Sequence, residues 1–311
     1  MSRISTLGVH ESVDDVFPAT VFRDALADAV PSVRIVDDAD DVSTCDVLVT
    51  FRYEDRFLDA GLDWIHSIQA GVDRFPFEDL ESNGITLTNS TGIHGESVGE
   101  TVVGYMLTFA RRLHVYLHNQ RDHEWTTPAW DEPFTLNGRS VCVVGLGTLG
   151  RGIASRASAL GMRVTGVKRT VEPVPDVQQV HPQDELLSAV EGVDFVALAC
   201  PLTEETHHLV DEEVLAAMDD GSYLLNVARG SVIDEDALVE ALRGGELAGA
   251  ALDVFEEEPL PADSPLWDFE EVLVTPHKSG STWEYYQLVG ELVYENLERD
   301  ERGEELINRV V

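Results

Sequence analysis

The feature that most constrains the fold is a glycine-rich turn between a strand pattern and a helix pattern. Residues 140–144 form a short apolar run, and Gly145, Gly147 and Gly150 follow it at the spacing Gly-x-Gly-x-x-Gly. Small and apolar residues then recur at helical spacing up to a terminating glycine, and 162–167 is again strand-like. A glycine motif enclosed in a complete strand–helix–strand unit is typical of proteins that bind a dinucleotide.

Each glycine has a physical task in such a turn. We expect Gly145 to permit the tight turn, Gly147 to let the backbone approach a pyrophosphate, and Gly150 to bring the helix close to the sheet. Thr148 and Leu149 open the helix, where free backbone donors and the helix dipole favour phosphates. The alternative is a glycine-rich turn with no ligand, which the complete unit around the motif disfavours.

The end of the second strand indicates which dinucleotide binds. An acidic residue there normally bonds the ribose 2′-hydroxyl of NAD, but this sequence has Lys168, Arg169 and Thr170. Two cations and a hydroxyl suit a 2′-phosphate, so we predict NADP(H) as the preferred cofactor, with NAD(H) also accepted. The alternative is a solvated cation pair. Lys168 and Lys278 are the only lysines of the chain, which argues that Lys168 is not simply a solvated surface residue.

The chain is strongly acidic. Its 311 residues carry 58 Asp and Glu against 21 Lys and Arg, a formal net charge of −37. The acids are spread along helices and loops, which resembles the surface of a cytoplasmic protein from an extremely halophilic source, where carboxylates hold water and salt ions. Regular apolar patterns exclude an acidic disordered chain. The lack of a basic stripe disfavours nucleic-acid binding.

The cysteines and the apolar runs narrow the class further. Cys45, Cys142 and Cys200 are too few and too scattered for a disulfide framework or a metal site, so we expect buried thiols and no metal. We recognise no signal peptide and no apolar run that approaches the ~20 residues needed to span a bilayer. The prediction is a cytoplasmic protein without a membrane partner.

Strand and helix patterns alternate on both sides of the glycine motif. They predict an α/β chain of two Rossmann-like domains, with doubly wound parallel sheets and a cleft between them. We expect a discontinuous substrate-binding domain over 1–96 and 283–311, and a dinucleotide-binding domain over 97–282. The predicted strands are 33–36, 46–50, 64–68, 85–88, 140–144, 162–167, 194–199, 222–227, 248–253 and 272–275. Besides the helix of the glycine motif, the predicted helices are 19–29, 57–60, 77–82, 97–121, 183–189, 211–218, 235–244 and 282–299.

Ligands of doubly wound sheets bind beyond the carboxyl ends of the strands, and three reactive side chains follow strands there. Arg229 can bind a substrate carboxylate or carbonyl through its forked guanidinium. His277 can donate a proton to a carbonyl oxygen as hydride reaches the carbon, and Glu258 can hold that imidazole and favour its protonated form. Taken alone, each has a simpler explanation: a surface ion pair, a solvated acid or a capping histidine.

Longer segments carry a family resemblance. Residues 200–206, 225–234, 249–259 and 275–277 resemble the D-isomer-specific 2-hydroxyacid dehydrogenase family, and the similarity extends over nearly the whole chain. The resemblance implies that Arg229 binds substrate, that Glu258 orients His277, and that His277 is the acid/base catalyst. It also implies a loop whose backbone N–H groups cup the substrate carboxylate, formed by Ala70, Gly71 and Val72. Independently, Arg52 and Tyr53 follow the strand 46–50 and are further substrate-binding candidates.

The resemblance extends to the cofactor and the assembly. It implies that Asp253 meets the nicotinamide carboxamide and that the protein is a homodimer through the cofactor domain, with 97–121 and the loop 125–130 suited to that contact. The predicted cofactor-binding residues are Gly145, Gly147, Thr148, Leu149, Gly150, Lys168, Arg169, Thr170, Cys200, Pro201, Thr206, Val227, Ala228, Asp253 and Gly280.

The expected activity is NADP(H)-preferring reduction of 2-ketocarboxylic acids to D-2-hydroxycarboxylic acids by hydride transfer. Three alternatives stay open. The first is a glyoxylate or hydroxypyruvate reductase, and the second is an enzyme of the phosphoglycerate dehydrogenase type. The third, from a different class, is a non-catalytic nucleotide-sensing scaffold with the same fold.

Overall fold

The computed structural model describes residues 4–311, which divide into two compact α/β units. Unit 1 extends to Ile93 and resumes at Thr282–Val311, and unit 2 is His94–Ser281. Both sheets are parallel throughout, as the predicted alternation of strands and helices requires.

Unit 1 contains a five-stranded sheet whose strand order reverses at its first strand. Its elements are β1 (Thr6–His10), α1 (Ala19–Ala25), β2 (Ser32–Val36), α2 (Ala39–Val42), β3 (Val47–Thr50), β4 (Trp64–Ser67), α3 (Phe77–Ser82) and β5 (Thr86–Asn89). The strand order is β2-β1-β3-β4-β5, so the reversal lies between β1 and β3. In such sheets the crevice at the reversal is the usual ligand position. Arg52 and Tyr53 follow β3 at this point.

Unit 2 contains a seven-stranded sheet. Its elements are α4 (Gly95–Ala110), α5 (Leu113–Arg121), β6 (Ser140–Val144), α6 (Thr148–Ala159), β7 (Arg163–Val167), β8 (Gln179–His181), α7 (Leu186–Val190), β9 (Phe195–Leu198), α8 (Glu212–Ala217), β10 (Tyr223–Asn226), α9 (Glu235–Gly244), β11 (Gly249–Leu252) and β12 (Val272–Val274). The order is β12-β11-β10-β9-β6-β7-β8, with the reversal between β6 and β9. The glycine motif follows β6, and Cys200 and Pro201 lie just beyond β9.

The last helix, α10 (Tyr285–Arg302), belongs to unit 1. Its apolar face carries Val289 and Val293, which are fully buried in the same cluster as Phe22 of α1. Burial of this face, together with backbone hydrogen bonds between residues 308–311 and β5, ties the C-terminal segment to unit 1.

Several elements differ from the sequence prediction. Strands β1 and β8 and the short helix α2 were not predicted, and the helix expected over 57–60 is a 3-10 turn at Asp55–Phe57. The expected helix over 97–121 is in fact two helices, because Arg112 adopts a left-handed conformation (φ 56°) between α4 and α5. The backbone N–H of Phe134 donates to the carbonyl of Ala110 at 2.8 Å and so caps α4 from outside. A contact distant in sequence therefore ends this helix.

Cys45, Cys142 and Cys200 are all buried free thiols, as predicted. Burial raises the pKa of Cys142 and of Cys200 to about 11, which makes both unreactive at neutral pH. Across residues 4–311, no helix combines the length and the apolar character needed to cross a bilayer.

Candidate active site

Two of the three predicted catalytic side chains are in direct contact. The Nδ1 atom of His277 lies 2.8 Å from Oε2 of Glu258, and the other Glu258 oxygen accepts a hydrogen bond from the Phe255 N–H at 3.1 Å. Both side chains are partly open, with exposed fractions of 47% for His277 and 36% for Glu258. The glutamate therefore fixes the ring through Nδ1 and leaves Nε2 as the nitrogen that can reach a substrate.

The electrostatics keep Glu258 ionised. Burial raises its pKa, but the hydrogen bond and charge of His277, the Phe255 N–H and the charge of Arg229 outweigh burial and hold the pKa below its ordinary value. An ionised Glu258 accepts from Nδ1 and stabilises positive charge on the His277 ring. This is the arrangement that a general acid requires.

The third predicted catalytic residue, Arg229, is held by a short loop after β10. The side chain of Asn226 accepts from the Ala228 N–H and donates to the Arg229 carbonyl, both at 3.0 Å. Gly230 follows, and a Cβ built there would lie 1.8 Å from the backbone carbon of Phe255. Only glycine permits this approach, which brings the Arg229 loop against the segment that leads to Glu258.

Asp253 organises the loop that carries His277. It comes directly after β11 and has an exposed fraction of 0%. Its Oδ1 accepts from the Thr275 hydroxyl at 2.7 Å and from the Lys278 N–H at 2.8 Å, and its Oδ2 accepts from the Ser279 N–H at 2.8 Å. Its backbone carbonyl accepts from the His277 N–H at 2.8 Å. The side chain thus supports the catalytic loop, whereas contact with the nicotinamide stays a prediction.

The hydrogen bonds to Asp253 hold His277 in an unusual backbone conformation. His277 has a φ of 54°, in the left-handed region that a residue with a side chain seldom adopts. Such a conformation costs about 1–3 kcal/mol and persists only where the surroundings determine it. The hydrogen bonds to the Asp253 carboxylate and carbonyl hold the backbone in this conformation and so fix the orientation of the His277 imidazole.

The glycine motif has the geometry that a pyrophosphate needs. Gly145 has a φ of +95°, and a Cβ on Gly150 would lie 1.8 Å from the Gly145 carbonyl oxygen. A Cβ on Gly147 would meet nothing within 4 Å, so this face of the turn is open. Helix α6 begins at Thr148 with no side-chain cap, which leaves its first backbone N–H groups for a ligand. These residues fit a dinucleotide.

The cations predicted to bind a 2′-phosphate lie just beyond β7. Lys168 donates its backbone N–H to the His181 carbonyl at 3.0 Å, and its ammonium forms an ion pair with Glu172. Arg169 and Thr170 are exposed. The sequence reasoning missed Glu172, because it lies in an irregular loop and its pairing with Lys168 has no periodic signal.

Residues 103–279 match the family model described as D-isomer specific 2-hydroxyacid dehydrogenase, NAD binding domain. The glyoxylate reductase of Thermofilum pendens is 36% identical over 280 residues, which cover 85% of this chain and 80% of that protein. The glyoxylate/hydroxypyruvate reductase A of Arabidopsis thaliana is 34% identical over 250 residues, which cover 80% and 79%. A solved D-isomer specific 2-hydroxyacid dehydrogenase from Xanthobacter autotrophicus, in complex with NADPH and MES, superposes with a TM-score of 0.85 at 32% identity and covers 99% of this chain and 98% of that chain.

The chain belongs to the D-isomer-specific 2-hydroxyacid dehydrogenase family. It is therefore an NAD(P)-dependent oxidoreductase, as the resemblance in the sequence implied. The family model covers the part of the chain that holds the glycine motif and most of the strand ends described above.

Several predicted cofactor residues of this 2-hydroxyacid dehydrogenase act as supports in the structure. The Thr206 hydroxyl donates to the Pro201 carbonyl at 2.6 Å and accepts from the Thr203 N–H at 2.7 Å, which fixes the loop after β9. Cys200, Val227 and Ala228 are buried. The Gly280 carbonyl accepts from the Ser97 hydroxyl at 3.1 Å. Pro201 is exposed, and direct contact of these residues with the cofactor stays a prediction.

The predicted substrate residues of the dehydrogenase lie in unit 1. Asn89 donates to the Ala70 carbonyl at 2.7 Å and fixes the loop, and Val72 is buried. Within residues 4–311, the N–H groups of Ala70, Gly71 and Val72 donate no hydrogen bond to the protein. Backbone donors without a protein partner are available to an acceptor such as a carboxylate.

The other two substrate candidates have partners of their own. Arg52 forms an ion pair with Asp15 and is otherwise open to solvent. The Tyr53 ring packs edge-on against Phe57 and tilted against Phe75, and its hydroxyl is buried. A role of Tyr53 in substrate binding stays a prediction.

Proposed function

We propose that this dehydrogenase reduces 2-ketocarboxylic acids to D-2-hydroxycarboxylic acids, with NADPH as its preferred cofactor and His277 as the acid/base catalyst. The observation that carries the proposal is the 2.8 Å contact between His277 and Glu258 on a loop fixed by Asp253. A buried or purely structural histidine would need neither an ionised partner nor a strained backbone held in one direction.

The roles divide among three side chains. Arg229 binds the substrate carboxylate or carbonyl oxygen through its guanidinium. Protonated His277 donates the Nε2 proton to the carbonyl oxygen, and Glu258 stabilises the positive charge of the ring before this step. After it, Glu258 keeps the remaining proton on Nδ1, so that Nε2 is free to be protonated again. When bound, the reduced dinucleotide supplies the hydride. Proton donation in this step accounts for about 10²–10⁴-fold of the rate in comparable enzymes.

The preference for NADPH rests on the end of β7. Lys168, Arg169 and Thr170 stand where NAD enzymes carry the ribose-binding acid. The solved Xanthobacter relative is a complex with NADPH, which supports the same choice here. Because salt at molar concentration shortens the Debye length to about 3 Å, we expect a preference and not exclusion of NADH.

Glyoxylate and hydroxypyruvate are the substrates to test first. Several relatives are described as glyoxylate reductases, and one as a glyoxylate/hydroxypyruvate reductase. The N–H groups of Ala70, Gly71 and Val72, which donate to no protein acceptor in the described part of the chain, can bind the carboxylate that all 2-ketoacids share. A phosphoglycerate dehydrogenase of Methanocaldococcus jannaschii is also similar, at 36% identity over 235 residues, but the match covers 44% of its length.

We also propose that the protein is a cytoplasmic homodimer that associates through unit 2. Trp125 and Trp130 have exposed fractions of 100% and 92%, and Leu117 on α5 is exposed as well. Large apolar side chains clustered in one segment of so acidic a chain are better explained by a covered surface than by solvent.

The test of the function is NADPH oxidation across a panel of 2-ketoacids in molar salt, with NADH in parallel. Turnover of one or more ketoacids with higher kcat/KM for NADPH is the expected result. Turnover with a clear NADH preference would refute the cofactor assignment. Absence of turnover despite NADPH binding would refute the catalytic assignment and favour the scaffold.

A further inference from the structure

The residue that pairs with Lys168 bears directly on cofactor choice. The Lys168 ammonium donates a hydrogen bond to Oε1 of Glu172 and forms an ion pair with it. The exposed fractions are 27% for the Lys168 side chain and 57% for Glu172. A carboxylate thus already contacts one of the cations that the proposed function assigns to the 2′-phosphate.

The loop that carries Glu172 is fixed at both ends. Lys168 is anchored at the end of β7 by its backbone N–H, and Val174 is buried in the core of unit 2. Pro173 lies between them and disfavours a helical conformation at Glu172. The segment after β7 is therefore irregular, and within it the Glu172 side chain contacts Lys168, four residues earlier.

A second cation faces the same carboxylate. Arg151, on the first turn of α6, contributes to the potential at Glu172. The hydrogen bond and the charge of Lys168 hold the pKa of Glu172 below its ordinary value, and Arg151 adds to this effect. Glu172 is consequently ionised at neutral pH and in direct contact with Lys168.

We propose that Glu172 is a specificity-determining residue of the cofactor site, whose carboxylate competes with the 2′-phosphate for Lys168 and accepts a hydrogen bond from the 2′-hydroxyl of NADH. This inference rests on the proposed NADPH preference and deepens it. A dianionic phosphate must displace Glu172 from the ammonium, whereas a ribose hydroxyl can bond to the carboxylate where it lies. One residue thereby weakens the preference for NADPH and permits NADH.

The test compares dissociation constants of NADPH and NADH, measured by quenching of protein fluorescence, for the wild type and the variant Glu172→Gln. Glutamine keeps the length and the hydrogen bond to Lys168 but removes the charge. Glu212→Gln is the matched control, because it removes the same charge from an exposed position on the first turn of α8. Lys168→Ala is measured alongside and tests the 2′-phosphate site itself.

Glu172→Gln should change the affinities for NADPH and NADH in opposite directions, and the change for NADPH should depend on salt. At low salt, Glu172→Gln should bind NADPH about tenfold more tightly, the scale of removing one nearby like charge. In molar salt the gain should shrink to about twofold because screening is strong. NADH should bind more weakly than to the wild type, and Glu212→Gln should change neither affinity.

Two results would overturn the proposal, and they are distinguishable. If Lys168→Ala weakens NADPH binding while Glu172→Gln leaves both affinities at the wild-type value, Glu172 has no part in selection and the proposed cofactor preference stands. If Lys168→Ala leaves NADPH binding unchanged, there is no 2′-phosphate site at this strand end, and both proposals fall.

Discussion

The substitution Asp253→Asn should separate positioning of the catalytic histidine from stability alone. Asparagine keeps one carbonyl oxygen, which can still accept from Thr275 and Lys278, but its amide would face the Ser279 N–H. Loss of the charge weakens the two retained bonds by about 1 kcal/mol each, and the unpaired buried donor costs about 1–3 kcal/mol. Removing a buried carboxylate charge is itself favourable and offsets part of this cost, so the free energy of unfolding should fall by about 2–4 kcal/mol.

The same change should reduce turnover. With one of the three hydrogen bonds lost and two weakened, the loop no longer holds the left-handed backbone of His277 in place. The imidazole ring then adopts more than one orientation. A displacement of about 1 Å costs about 10²-fold in comparable enzymes, so we expect kcat to fall by about 10–100-fold. Urea unfolding measures the first effect, and steady-state reduction of a 2-ketoacid measures the second.

Asp194→Asn is a matched control for this experiment. Asp194 precedes β9 and also accepts three hydrogen bonds, from the Ser140 N–H and hydroxyl and from the Arg139 guanidinium, at the opposite ends of the strands. It should lose comparable stability and keep its kcat. If Asp253→Asn also keeps a wild-type kcat, the idea that Asp253 positions His277 is wrong.

Three further changes test other parts of the structure. Gly230→Ala places a Cβ 1.8 Å from the backbone of Phe255, so both thermal stability and kcat should fall, measured by calorimetry and turnover. His66 is fully buried, and burial lowers its pKa to about 3 from 6.5. The unfolded chain therefore binds more protons between these values, and the native state loses up to about 1.4 kcal/mol of stability for each unit that the pH falls in that window. In His66→Gln this part of the pH dependence should disappear from urea unfolding between pH 7 and pH 5; an unchanged slope would contradict the assignment. Trp125→Ser combined with Trp130→Ser should yield monomers in light scattering, and an unchanged dimer would place the interface elsewhere.

Much of the fold follows from patterns that local sequence carries. The central strands of unit 2, β6, β9, β10 and β11, are short runs buried on both faces, as is typical of a parallel sheet. The helix Glu235–Gly244 has an Asp234 cap and a glycine at its end. These signals depend on neighbours within one element. They were sufficient to predict two parallel α/β units and the strand ends that carry Arg229, Glu258 and His277.

What the sequence did not reveal depends on contacts between distant segments. Strand β1 contains Gly8, which weakens a strand pattern, yet a Cβ there would lie 2.8 Å from the Cys45 sulfur, so packing requires the glycine. The break at Arg112 is set by Phe134, which binds the end of α4. The pairing of Lys168 with Glu172 likewise depends on how a loop returns, and periodicity cannot describe that.

The most direct test of the central claim is reduction of glyoxylate with NADPH by His277→Ala, with the NADPH dissociation constant measured on the same preparation in molar salt. We predict a kcat at least ~100-fold below that of the wild type, the scale of a lost general acid, with NADPH affinity unchanged. Turnover close to the wild-type rate would remove His277 from the mechanism and contradict the assignment of the Arg229, Glu258 and His277 site.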